Sequence, residues 1–101
     1  TEQFGLCRVP SQNGCVEFIK ITKNTNYKPH FHRYVDARFI IIQGSGDIIL
    51  DIKTLPFKCG DVFDVPASVY HGFNVIETTV FLSIQSNPIH DQSTGDVDLH
   101  Y

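Results

Sequence analysis

A chain of 101 residues is long enough for one hydrophobic core and too short for a nucleotide-binding domain joined to a substrate domain, so residues 1–101 are read as a single domain. The net charge of −3, with no block of like charge, excludes the basic stripe that nucleic-acid binding needs. The apolar runs are only a few residues long, so no membrane partner is expected.

In chain order the sequence reads as short strands separated by turn signals, with no sustained helical period. Phe4 to Val9 is a first strand, and Ser11-Gln12-Asn13-Gly14 carries the Asn-Gly pair that favours a tight hairpin. Cys15 to Thr22 alternates in polarity and is rich in β-branched residues, which predicts a second strand, followed by a polar loop over Asn24 to Pro29. His30 to Arg33 begins the next strand. Ala37 to Gln43 is dense in Phe and Ile, Gly44-Ser45-Gly46 is expected to turn the chain into a hairpin, and Asp47 to Ile52 returns it. Lys53 to Pro56 reads as a break before a short segment at Phe57-Lys58-Cys59. Strands are then expected from Gly60-Asp61 to Pro66, from Val69 to Val75 and from Val80 to Ser86, with a turn at Glu77-Thr78. After Pro88 the tail is polar, and His90 and His100 within it are read as solvated.

Many short strands with no helix between them predict an all-β sandwich or barrel with antiparallel connections. Phe39-Ile40-Ile41-Ile42 and Ile48-Ile49-Leu50 are apolar on both faces and need cover on each side. A homodimer packed through the Ile40 and Ile42 side would supply it. Cys7, Cys15 and Cys59 are odd in number and lack Cys-x-x-Cys spacing, which argues against a disulfide framework or a zinc knuckle. A reducing cytoplasm is the expected setting, and no signal-peptide pattern is visible.

His30 and His32 stand two apart, so on a strand both imidazoles face the same side, about 7 Å apart along the chain. Such a pair can converge on one ion, with His71 as the candidate third ligand. It can equally be a pair of surface histidines.

The surrounding residues resemble the two short motifs of the cupin superfamily. In the first, Asn24 takes a glycine place, His30-Phe31-His32 supplies the paired histidines, and Gly44 matches the closing glycine. In the second, Gly60, Pro66 and His71 match at the family spacing, with Ser68 in place of the inner glycine and Val75 in place of the final asparagine. The resemblance implies a cupin jelly-roll barrel of two antiparallel sheets. It also implies one divalent metal ion, Fe, Zn, Ni or Mn, on His30, His32 and His71.

The family's glutamate ligand falls on Ala37, which cannot bind metal. Asp36, one residue earlier, would face the opposite way in a regular strand and reaches the ion only through a bulge. By the same parity Phe39 and Gln43 point inward with Ala37, and Phe73 shares the inner face with His71. With Tyr70 these residues outline a small-molecule pocket; the hydroxyls of Tyr34 and Tyr70, which flank the histidines, are expected to face water, the alternative being that they reach the mouth as acid or base. Three-histidine cupin sites resemble those of dioxygenases, and other cupins are isomerases or lyases. The expected activity is therefore metal-dependent chemistry on a small chelating or anionic metabolite, the alternative being a non-catalytic binding module for a sugar or other small molecule.

Overall fold

The computed structural model describes residues 2–8, 15–23, 26–86 and residue 100. The expected turn at Ser11 to Gly14 and the tail that carries His90 lie outside them.

Among the described residues nine strands form: β1 (Glu2–Arg8), β2 (Cys15–Ile21), β3 (Asn26–His30), β4 (Ala37–Gln43), β5 (Ser45–Leu50), β6 (Lys53–Lys58), β7 (Val62–Val65), β8 (His71–Val75) and β9 (Thr79–Gln85). They make two antiparallel sheets, one ordered β1-β2-β9-β4-β7 and the other β3-β8-β5-β6. Alternation explains the sandwich. In β4, Ala37, Phe39 and Ile41 face inward while Arg38 faces out, and in β9 the inward set is Thr79, Phe81, Ser83 and Gln85. Ile21, Phe39, Ile41, Ile48, Phe57, Val65, Phe73, Val75 and Phe81 form the core between the sheets. Rings of Phe39, Phe73 and Phe81 meet at centroid distances of 4.8 to 5.8 Å, the spacing of favourable aromatic pairs.

Two expectations about connections are corrected. Gly44 does not turn a hairpin: β4 and β5 belong to different sheets, and Gly44 is the corner at which the chain crosses between them. Its φ of +105° suits glycine, and a Cβ there would lie 2.6 Å from Thr79 Cα. The hairpin is instead β5–β6, turned at Asp51 and Ile52, with Asp51 at φ +57°. The expected break at Lys53 to Pro56 is thus strand. It accommodates Pro56 because β6 is the edge of its sheet. Likewise β3 occupies part of the expected polar loop, from Asn26 onward.

Candidate metal centre

His30 is the last residue of β3 and His71 the first of β8, and the two are cross-strand partners. Their rings therefore meet across the sheet, with centroids 4.3 Å apart. His32 lies just beyond β3, where the Ser68 N–H donates to its carbonyl at 2.6 Å and ties it to the β7–β8 crossing. Its ring lies 5.0 Å from those of both His30 and His71. All three histidines are buried, and their ligating nitrogens lie within 4.8 Å of one another. Nitrogens sharing one ion at about 2.1 Å stand roughly 3.0–3.6 Å apart, so a small inward movement of the rings completes such a site. The donor set, neutral imidazole only, suits a divalent transition metal.

His71 is held in the form that ligates. Its Nδ1 lies 3.2 Å from the Val69 carbonyl, which can only accept, so Nδ1 carries the proton and Nε2 keeps its lone pair. Burial, reinforced by the neighbouring His30 and His32 imidazoles and opposed by the Val69 hydrogen bond, pushes the His71 pKa down to about 3. The ring is neutral at physiological pH.

Ala37 faces the interior between Val65 and Gln85, so the wall carries no carboxylate at that position. Asp36 is exposed and is not brought into the histidine group. Its Oδ1 accepts the Ala67 N–H at 2.8 Å, its N–H donates to Ser86 Oγ at 3.0 Å, and its carbonyl accepts the Ser86 N–H at 2.9 Å. Asp36 is a tie between loops, facing out because its neighbour faces in.

Of the expected pocket residues, Phe39 and Phe73 are buried, and the Phe39 ring meets that of His71 at 5.5 Å. Gln43 is a correction. A register shift between Ile41 and Gln43 breaks the parity, and Gln43 is exposed at the Gly44 end, roughly 20 Å along β4 from Ala37. Tyr70 is exposed and packs on Phe31 at 4.9 Å, and Tyr34 is 75% exposed, so both stand outside the histidine group. The reading of His100 as solvated is also corrected. Its backbone exchanges two hydrogen bonds with Phe31, at 2.8 and 2.9 Å, and its ring stacks on the Phe31 ring at 5.2 Å.

The sequence reading missed four buried polar residues on the opposite sheet: Glu17 of β2, and Thr79, Ser83 and Gln85 of β9. Gln85 Nε2 donates to Glu17 Oε1 at 3.1 Å and to Ser83 Oγ at 3.0 Å. The signal was present in the alternation, since these polar residues share the inward parity of Ile21 and Phe81.

No family model matches the sequence. An uncharacterized protein of Aquifex aeolicus is 28% identical over 99 residues, which are 97% of this chain and 78% of that protein. Among solved structures, KdgF from Halomonas sp. superposes with a TM-score of 0.75 at 18% identity, over 87% of this chain and 89% of its own. The cupin domain of Schizosaccharomyces pombe Cnp3 gives a TM-score of 0.75 at 16% identity, over 84% of this chain and 60% of that one. Salicylate 1,2-dioxygenase from Pseudoaminobacter salicylatoxidans, solved as adducts with gentisate, gives 0.69 at 18% identity, over 73% of this chain but only 20% of the dioxygenase.

Proposed function

From the cupin fold that these likenesses establish, we propose that the protein is a small metal-binding cupin acting on a small chelating or anionic metabolite. His30, His32 and His71 are its metal ligands, and residues 1–101 are one cupin domain. The observation that carries this reading is the convergence of three buried imidazoles from two separate stretches of chain. Three buried imidazoles whose ligating nitrogens lie within 4.8 Å of one another form a donor set that a divalent cation fits.

With alanine at position 37 the ligands are all neutral, so the cation's charge favours an anionic ligand, and the small ligand number leaves coordination positions open. When bound, the ion supplies Lewis-acid or redox chemistry. Iron fits a dioxygenase-like activity, and zinc, nickel or manganese fits an isomerase or lyase. The likeness to salicylate 1,2-dioxygenase, whose structure holds gentisate, supports a small acid as the ligand class. Phe39 supplies an apolar wall beside His71.

The test is metal analysis of the purified protein, followed by assays for oxygen consumption and for isomerisation or elimination, beside the His71→Ala variant. Turnover abolished in a variant that keeps its fold identifies an enzyme. Ligand-linked stabilisation without product identifies the binding module instead. Absence of metal uptake by the wild type sinks both.

The assembly proposed is a homodimer. Phe18, Leu82, Ile40 and Val62 lie in one register row across the outer face of the five-stranded sheet, with Val62 52% exposed and Ile42 beside it 45% exposed. Sedimentation at micromolar concentration checks it, the expected result being a dimer that Ile40→Arg dissociates. Cys59, a free and exposed thiol, fits a reducing compartment.

A further inference from the structure

The side-chain oxygen of Gln85 is buried and has no hydrogen-bond partner among the described residues. Its orientation is not free. Nε2 donates to Glu17 Oε1 at 3.1 Å and to Ser83 Oγ at 3.0 Å, so both of its protons are engaged and the amide nitrogen is the atom that faces Glu17. The amide oxygen is thereby aimed elsewhere and left without a donor. Buried polar groups are as a rule hydrogen-bonded, so such an acceptor calls for an explanation.

Its position supplies one. Gln85 is the β9 partner of Ala37, whose partner on the other side is Val65. Ser83 is the partner of Phe39, and the Phe39 ring meets that of His71. Glu17 is in turn the β2 partner of Ser83. The polar trio therefore stands on the sheet that faces the imidazoles, at the same end of the barrel, next to the position where alanine replaces a carboxylate. Its open polar atom is the Gln85 amide oxygen, an acceptor. The complement is a hydrogen-bond donor.

We propose that Gln85, positioned by Glu17 and Ser83, is a ligand-recognition residue whose Oε1 accepts from a hydroxyl of the bound metabolite, which makes that metabolite a hydroxylated carboxylic acid. The carboxylate lies on the imidazole side, where it meets the cation, and the hydroxyl reaches across the barrel to Gln85. The carboxylate half of this assignment rests on the metal-binding reading above, and the hydroxyl half on Gln85 itself.

The experiment uses the full chain with zinc as the metal and two six-carbon probes, gluconate and hexanoate, which share a carboxylate and differ in hydroxyls. Zinc affinity is titrated first, then each probe by calorimetry, in the wild type and in Gln85→Leu. The expected result is tighter binding of gluconate, weakened roughly tenfold by the substitution, with hexanoate unchanged. Because Gln85→Leu also strips Glu17 of its partner, a second measurement uses the wild type alone. The side-chain amide resonances of Gln85 should shift on adding gluconate and stay in place with hexanoate.

Zinc binding with equal losses for both probes, no gluconate binding, or Gln85 resonances indifferent to gluconate overturns this assignment while leaving the metal centre intact. An oxygen satisfied by a resident water gives the last of these results. Failure to bind zinc removes the carboxylate's anchor and overturns both.

Discussion

The two ends of this barrel bury polar groups in opposite ways. At the Gly44 end, Thr79 is fully buried, and its hydroxyl donates to the Glu77 carbonyl at 3.0 Å, two residues away. The Lys23 N–H finds Thr78 Oγ1 at 3.1 Å, and Gly44 lets the strands close against each other. That end is satisfied from within. At the other end, three buried imidazoles bring their ligating nitrogens within 4.8 Å of one another, and the buried Gln85 amide oxygen has no donor among the described residues. Polar groups that close on their neighbours hold a fold together. A buried acceptor left without a donor, as at Gln85, marks where a ligand belongs.

That contrast is breakable, beginning with the largest effect. His71→Ala is expected to lower zinc affinity more than 100-fold, since even partners behind a ligand are worth about 10–100-fold. Equilibrium dialysis with metal analysis measures it, and His30→Ala and His32→Ala should behave alike. Retained stoichiometry in any of them would show that the rings do not act as one site.

Gly44→Ala tests the closed end. A Cβ there would sit 2.6 Å from Thr79 Cα and 2.8 Å from the Thr78 carbonyl, on a backbone at φ +105°. Urea denaturation should show a loss of roughly 2–3 kcal/mol, while the zinc stoichiometry of the folded fraction stays unchanged.

Acidification of the metal-free protein sharpens the contrast further. The pKa of His71 falls from 6.5 to about 3 on folding, so the unfolded chain takes up the proton first. Stability from this group is complete above about pH 6.5 and declines as pH falls toward 3, where the folded ring protonates too. By pH 5 the loss is about 2 kcal/mol, to be read from denaturation midpoints across that window. The slope should be shallower in His71→Ala, and an unchanged slope would assign it to other groups.

The smallest effect separates a tie from a ligand. Asp36→Ala removes the acceptor of the Ala67 N–H and should cost about 1 kcal/mol of stability. Zinc affinity should not change, and a large loss of it would return Asp36 to the metal centre.

Strand alternation was legible in the sequence wherever one face was apolar. Once the motif resemblance set Ala37 inward, parity placed Phe39 inward with it and Asp36 outward, because a side-chain period of two leaves no other choice in a regular strand. Gln43 escaped this reasoning because the register slips after Ile41, and a bulge reverses parity without a mark in composition. The Gly44 corner was misread because a glycine-bounded pair of apolar strands looks the same whether the chain folds back within a sheet or crosses to the facing one.

The sequence by itself determined the all-β class, the inner faces of β4 and β8 and, through its motif resemblance, the three candidate histidines, since these follow from local periodicity and from the spacing of a few residues. Only the tertiary structure decided that β4 and β5 part company, that β6 is an edge strand tolerant of Pro56, and that Glu17 and Gln85 face the imidazoles from the other sheet. Those facts depend on which strands become neighbours across two sheets, and that pairing is set by the packing of the whole core rather than by any single stretch of chain.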